Sequence, residues 1–231
     1  MTTLRIQKLL IDLWRDIFSC KQCNLPVDYI PTFRPLGNLY QENGVVFAQI
    51  NPGHIGWLTD SEIDERYKSE SARHRARYKR KVTSDLLLLQ DHFLKNPSIQ
   101  NWKLLNIGYR NAMIRVWGWP PGKYSETIER HGVAIQEIAV VNIAQCPIPG
   151  DKYSKQIFSN CWRLHTERLL RILKPKLIVA QGKVCLNFLQ NQDLDNNSTL
   201  VEGNHHASRQ SNEVKNRIFN NVKSVIEQLR A

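Results

Sequence analysis

The sequence predicts a single α/β domain with a central four-stranded, mostly parallel sheet flanked by helices. Three observations carry that prediction. Continuous apolar runs of strand length occur at Val45–Ile50, Ile138–Ile143 and Leu177–Ala180, with a shorter one at Thr199–Glu202. Segments with apolar residues at helical spacing separate them, the alternation that builds a parallel sheet covered on both faces. The chain has 231 residues, 42% of them hydrophobic, which suits one large domain with a substantial core.

The elements follow in order. Leu9, Leu10, Leu13, Trp14 and Ile17 recur at helical spacing within Leu4–Phe18. That helix leads into Cys20, and Pro26, Pro31 and Pro35 then mark an irregular stretch. The first strand stops at Asn51-Pro52-Gly53, because proline has no N–H for a ladder. Ser61 to Phe93 reads as helix, acidic early and basic late, the polarity a helix dipole favours. It belongs to a basic helical insertion at about residues 60–119 within the one domain, 1–231. After the second strand, Phe158–Leu173 is strongly helical and closes at Lys174-Pro175. Gly182 stops the third strand, residues 190–198 form a polar loop, Gly203 ends the fourth strand, and a helix covers Val214–Leu229.

Composition narrows the function classes. No apolar run approaches the length needed to cross a membrane. Charges interrupt every short apolar stretch at the N-terminus, so no signal peptide is expected and the protein reads as cytoplasmic. Thiols stay reduced there, and five cysteines then argue for metal binding or reactivity before disulfides. The net charge of +11 favours a polyanionic partner, most simply DNA. Arg66, Lys68, Arg73, Arg75, Arg77, Lys79, Arg80 and Lys81 cluster against Glu70 alone. Such a run also describes a solvated helix face, but Tyr67 and Tyr78 are interleaved with it, which favours phosphate contact beside base stacking.

Cys20 and Cys23 form a C-x2-C pair, and Cys146 and Cys161 follow far downstream, fifteen positions apart. The set points to a four-thiolate metal site tying the N-terminal arm to the middle of the fold. All-thiolate ligation suits both iron–sulfur clusters and zinc. Cys185 sits in an apolar helical stretch and reads as a small buried residue. Asn51 follows the first strand, Asn142 lies near the end of the second, and His205-His206 follow the fourth. In open parallel sheets ligands bind beyond the carboxyl ends of strands, so these groups are expected at one edge. Each also has a plain reading: Asn51 as a turn residue, Asn142 as a buried structural amide, His206 as a surface imidazole.

Several motifs in order carry a resemblance. Gln49-Ile50-Asn51-Pro52-Gly53-His54 resembles the first motif of the uracil-DNA glycosylase superfamily. Val141-Asn142-Ile143-Ala144-Gln145-Cys146-Pro147-Ile148-Pro149-Gly150 resembles the strand and Pro-Gly loop of its iron–sulfur, family 4 type. Leu173 to Gly182 is similar to that family's next strand, and His206-Ala207-Ser208 to its His-Pro-Ser motif, with alanine replacing proline. The first motif is divergent, since Asn51 before Pro52 is closer to the mismatch-specific glycosylases.

The resemblance runs from about Cys20 to the C-terminus and implies a DNA N-glycosylase. Such an enzyme flips a base out of DNA and hydrolyses its N-glycosidic bond, leaving an abasic site. Asn51 would position the water, and His206 would stabilise the departing base anion, with His205 as the alternative if the register slips by one. Asn142, Gln49 and Trp57 would bind the base. Arg209 would act as a wedge or phosphate contact, and Arg73, Arg75, Arg77, Lys79 and Arg80 would bind DNA. Cys20, Cys23, Cys146 and Cys161 would hold a [4Fe–4S] cluster of structural role, with zinc as the alternative. The substrate is uracil or a modified pyrimidine. The alternatives are an enzyme specific for modified cytosine in foreign (phage) DNA, acting in defence, and a non-catalytic iron–sulfur DNA-binding protein. A monomer is expected, since flipping one nucleotide needs no symmetry.

Overall fold

A computed structural model describes residues 4–23, 36–50, 59–117, 122–146 and 154–231. Four strands, β1 (Val45–Gln49), β2 (Ile138–Asn142), β3 (Leu177–Gln181) and β4 (Thr199–Gly203), form one sheet in the order β2-β1-β3-β4. The pairings among these four strands are parallel, and an isolated antiparallel bridge joins Leu36 to Ala139. The runs of β1, β2 and β3 are apolar because both faces of the sheet are covered there. The ladders are in register: Val45 faces Ile138 and Leu177, and Leu177 faces Thr199.

Strand alternation divides the core in two. Val46, Ala48, Ala139, Val141, Ile178 and Ala180 point to one side. There they meet α1 (Leu4–Phe18), α3 (Glu70–Lys95), α4 (Ile99–Arg115), α7 (Glu167–Leu173) and α8 (Lys183–Gln190). Phe47, Ile138, Val140, Leu177 and Val179 point to the other side, against α5 (Lys123–Glu129) and α9 (Asn212–Arg230). Small alanines on the first face leave room for large side chains such as Trp14, Phe93 and Tyr109. Burying a side chain of that size contributes roughly 1.5–3 kcal/mol.

The helices differ from expectation in two places. The predicted 61–93 helix is broken into α2 (Asp60–Arg66) and α3. Tyr67 is extended, and Ser69 caps α3 by accepting from the Ala72 N–H. Thr59 and Glu62 close a capping box on α2, a reciprocal arrangement that satisfies two otherwise orphaned N–H groups. The predicted 158–173 helix is α6 (Lys155–Cys161), a π-helical turn (Trp162–Thr166) and α7 in succession. The distal half of α3 and most of α4 join the main core through Leu86, Phe93, Trp102, Leu105 and Tyr109. Asn106 of α4 clasps the Leu36 backbone from both sides, at 2.7 and 2.8 Å. No described helix is long and apolar enough to cross a membrane.

Gly203 ends β4 where backbone approach is close. A Cβ there would stand 2.3 Å from Val179 Cγ1 and 3.4 Å from His131 Nε2. Gly203→Ala is therefore expected to destabilise the fold by about 1–3 kcal/mol through overpacking. At roughly 2–4 °C per kcal/mol for a chain this long, a thermal melt should shift down by several degrees.

Candidate active site

The carboxyl ends of the strands carry a row of amides. Gln49 and Asn142 are paired in register, and the Gln49 Nε2 donates to Asn142 Oδ1 at 2.8 Å. Gln181 ends β3 at the same level, because Ala48 and Ala180 are paired one residue earlier. By strand alternation all three side chains belong to the α5/α9 face. Their placement is dictated locally: each follows a strand interior too apolar to hold a polar group, and each ends its strand where pairing gives way to loop. Buried amides need partners, since an unpaired one costs about 1–3 kcal/mol. The row provides some of them internally.

Gln181 connects this row to the histidines. Tyr124 of α5 donates its hydroxyl to Gln181 Oε1 at 3.2 Å, and Gln181 Nε2 donates to the Asn204 carbonyl at 3.4 Å. The Tyr124 ring meets the His206 ring edge-on, with centroids 5.4 Å apart. His205 and His206 lie with ring centroids 4.2 Å apart. His205 Nδ1 accepts from the Ala207 N–H at 3.2 Å, and the Ser208 N–H donates to the His205 carbonyl at 2.9 Å. These bonds form a tight turn leading into exposed Arg209.

Asn204, between β4 and that turn, is held on three sides. Its N–H donates to His131 Nε2 at 3.0 Å, and its Nδ2 donates to the Lys215 carbonyl at 2.7 Å. The third contact is the Gln181 bond. His131 is fully buried, between the rings of Phe47 and Phe219 at 5.2 and 4.6 Å. Its Nδ1 lies 2.7 Å from the Thr127 carbonyl. Since Nε2 accepts, Nδ1 carries the proton and the imidazole is neutral. Burial pulls its pKa down to about 4 against a weaker upward pull from the Thr127 carbonyl.

Asn142 and the His205-His206 turn thus stand at opposite margins of one strand-end row. Three inter-strand spacings put about 14 Å between their backbones. The expected gathering of an amide and an imidazole at one end of the sheet is present in the described residues. Asn51 and Trp57 lie outside the described residues. Sequence reasoning missed Gln181, Tyr124, His131 and Asn204. Gln181 had a signal, because it is a polar residue at the end of an apolar run, as Gln49 and Asn142 are near the ends of theirs. Tyr124 and His131 carry no motif, and only the packing of α5 reveals them.

Cys161, Cys20 and Cys23 lie near enough to Cys146 to act on its thiol. Cys20 follows α1, Cys161 ends α6, and Cys146 follows β2. Burial raises the Cys146 thiol well above its ordinary value, and Cys161, Cys20 and Cys23 raise it further. Burial pushes Cys161 up to about 12, opposed by the Gln145 N–H and reinforced by Cys23 and Cys20. Among the described residues no three ligating side chains form a ready-made cation cage. A group of thiols sharing one half-buried place fits a soft metal centre, whose positive charge is what makes adjacent thiolates tolerable. Cys185 is separate: it is buried on α8 and donates to the Ala48 carbonyl at 3.3 Å.

One link runs from the cysteines to Asn142. Thr166, at the end of the π-helical turn that begins beside Cys161, donates its hydroxyl to the Asn142 carbonyl at 2.8 Å. Gln145, next to Cys146, donates its Nε2 to the same carbonyl at 2.9 Å. Displacement of Cys146 or Cys161 would therefore reach the end of β2 through two hydrogen bonds.

The basic helix is less open than its sequence implies. Asp64 lies 3.8 Å from Arg73 Nε and 2.6 Å from Arg77 Nη2. Asp60 lies 3.2 Å from Arg77 Nε and 2.9 Å from Arg80 Nη2. Arg75 is exposed and Lys79 is half-buried. A separate cleft of about 440 Å³ lies at the amino end of β3 and β4, lined by Trp162, Arg171, Pro175 and Asp193 to Ser198. It is at the opposite end of the sheet from the amide row.

Comparison with protein-family models and with curated proteins finds no match. The functional reading therefore rests on the site and on the motif resemblance.

Proposed function

We propose that this protein is a DNA N-glycosylase. The observation that supports it best is the strand-end row, with Gln49-bound Asn142 at one margin and Tyr124-backed His206 at the other. A base rotated out of the duplex would enter between them, since chemistry on a base requires taking it out of the stack. Water adds to the sugar carbon as the N-glycosidic bond breaks. The base leaves with the bond's electron pair, and the water's proton balances its charge. The transition state carries positive charge on the sugar and negative charge on the base, so donors fixed where the anion develops lower the barrier.

Each residue then has a role. Asn142 hydrogen-bonds the base edge, with its amide oriented by Gln49. His206 donates to the departing base, held edge-on against Tyr124. Asn51 positions the water; Trp57 is the candidate stacking aromatic. Cys20, Cys23, Cys146 and Cys161 would hold a [4Fe–4S] cluster, or zinc, which braces the end of β2 through Thr166 and Gln145 and supplies no step of the reaction.

The test is excision from a panel of oligonucleotides containing uracil or modified pyrimidines, together with phage-derived DNA, scored as abasic sites. Wild type is expected to release a base, and Asn51→Ala to lose at least about 10²-fold in rate, the usual scale for losing a positioned group. Release of a modified cytosine with uracil untouched keeps the reaction and reassigns the substrate to foreign DNA. No release from any substrate defeats the glycosylase reading and favours a non-catalytic DNA-binding protein.

A further inference from the structure

The α2–α3 hairpin joins two charged stripes. Arg73, Arg77 and Arg80 recur at i, i+4 and i+7 on α3, one face of a helix. Asp60 and Asp64 recur at i and i+4 on α2, about 6 Å apart along its axis. The stripes run antiparallel, with Asp64 reaching Arg73 and Arg77 and Asp60 reaching Arg77 and Arg80. Arg77 is shared, so two carboxylates cover three guanidiniums. The Arg80 and Arg77 hydrogen bonds hold the Asp60 carboxyl below its usual range.

These ion pairs are exposed, with side chains between 32% and 60% accessible. Pairs of that kind hold weakly and weaken further in salt. The helix has a separate anchor. Ile63 is fully buried against Ala76 and Tyr67. The carboxylates are therefore not what holds α2 in place, and the arginines can change partner at small cost. Arg66, Lys68 and Lys81 are exposed around the hairpin and make no ion pair among the described residues. Their field would draw a polyanion to this face.

We infer that Asp60 and Asp64 occupy a phosphate-binding arginine stripe and compete with the DNA backbone for Arg73, Arg77 and Arg80. The carboxylates act as an internal stand-in for phosphate, and duplex DNA takes their place through bidentate guanidinium–phosphate bonds. The face is then a masked phosphate surface whose affinity for DNA is set by how readily α2 yields its partners. The inference rests on DNA as the partner of the proposed function, but not on excision.

The measurement is fluorescence anisotropy with a labelled duplex of ordinary bases across a salt series. The Asp60→Asn/Asp64→Asn protein should bind about tenfold more tightly than wild type at low salt. Adding Arg73→Gln, Arg77→Gln and Arg80→Gln to it should remove the gain and flatten the log K against log salt slope by about 3, one for each lost phosphate contact. The control is Glu65→Gln/Glu70→Gln, which raises net charge equally at two exposed acids outside these ion pairs. Circular dichroism checks that each protein is folded, and the buried Ile63 should keep α2 in place in all of them. The inference is overturned if the double-aspartate variant binds no better than wild type, or if the glutamate control binds as tightly as it does. Binding by wild type without that gain defeats this inference alone. Absence of binding by every protein defeats it together with DNA as partner. Tight, aspartate-sensitive binding without excision leaves it standing while the glycosylase reading falls.

Discussion

His131→Leu is expected to cut excision on the order of 10²-fold while leaving most of the fold intact. The imidazole touches no reacting group in the proposed site. It accepts the Asn204 N–H at 3.0 Å and so fixes the chain two residues before His206. Leucine fills a similar apolar space between Phe47 and Phe219 but leaves that N–H and the Thr127 carbonyl without partners, about 1–3 kcal/mol for each buried group. The turn carrying His206 is then free to shift, and small misplacements of a reacting group cost heavily in rate. The loss should appear in kcat with KM little changed, because the leaving-base contact is made in the transition state. His131→Gln keeps an acceptor near Nε2 and should recover part of the rate. If both variants lose the same activity and the same stability, His131 is packing alone.

The same residue makes a pH prediction that does not depend on activity. In the folded chain His131 stays neutral down to about pH 4, while in the unfolded chain it takes a proton below about 6.5. Between those values the unfolded state binds more protons, so stability falls as pH falls. Below about 4 both states are protonated and the loss is complete. The window is 2.5 pH units wide, which at 1.36 kcal/mol per unit is about 3 kcal/mol. His165, on the π-helical turn, is also pulled down to about 4 by burial and then by Arg168, with Asp16 opposing, and acts in the same direction. Denaturant midpoints measured from pH 7 to pH 4 should fall for wild type and fall less for His131→Leu. An unchanged slope in the variant would mean that His131 takes up its proton at the same pH in the folded and unfolded chain.

The fold was legible where one physical rule dominated. Strands buried on both faces must be continuously apolar, and all four were located to within about one residue. The parallel arrangement followed from helices between them. What the sequence concealed were breaks inside helical stretches. Tyr67-Lys68-Ser69 contains no proline or glycine, so the end of α2 depends on Ser69 capping α3 and on Ile63 packing against Ala76. The π-helical turn at 162–166 likewise has ordinary helical spacing. It is a consequence of burying Trp162, His165 and Thr166 together, with Thr166 turned onto the Asn142 carbonyl.

The candidate site was half legible for a related reason. A polar residue inside an apolar run is visible without coordinates, and Asn142 is one. Residues that act through partners distant in sequence are not. His131 and Asn204 are 73 positions apart, and Tyr124 and Gln181 are 57 apart. Neither pair has a spacing that a motif could encode. The basic helix hides its partners in the same way. Counting Lys and Arg along one segment does not reveal the carboxylates that pair with Arg73, Arg77 and Arg80, because Asp60 and Asp64 lie before the run and become neighbours only when the hairpin closes.

Cys161→Ser is expected to remove most bound metal and to loosen one specific part of the molecule. Cys20 and Cys23 lie beyond α1, Cys146 beyond β2, and Cys161 at the end of α6, so a shared metal would close three chain segments onto one point. Anaerobically purified wild type should carry iron and sulfide with broad absorption near ~400 nm; zinc without that absorption would select the other thiolate centre. Losing one ligand from a structural site removes folding free energy directly, since the unfolded chain has no preformed site. The loss should follow the observed connections. Hydrogen exchange should rise at residues 142–146, where Thr166 and Gln145 hold the Asn142 carbonyl, and in the last turn of α1. It should change little in α9, which packs on the other face of the sheet. Cys185→Ala provides the contrast. Its thiol is buried on α8 and donates to the Ala48 carbonyl, so metal content should be unchanged even if stability falls by about 1 kcal/mol. If Cys161→Ser keeps its full metal, the four thiols are neighbours without being ligands, and the brace on Asn142 is the hydrogen-bond cluster alone.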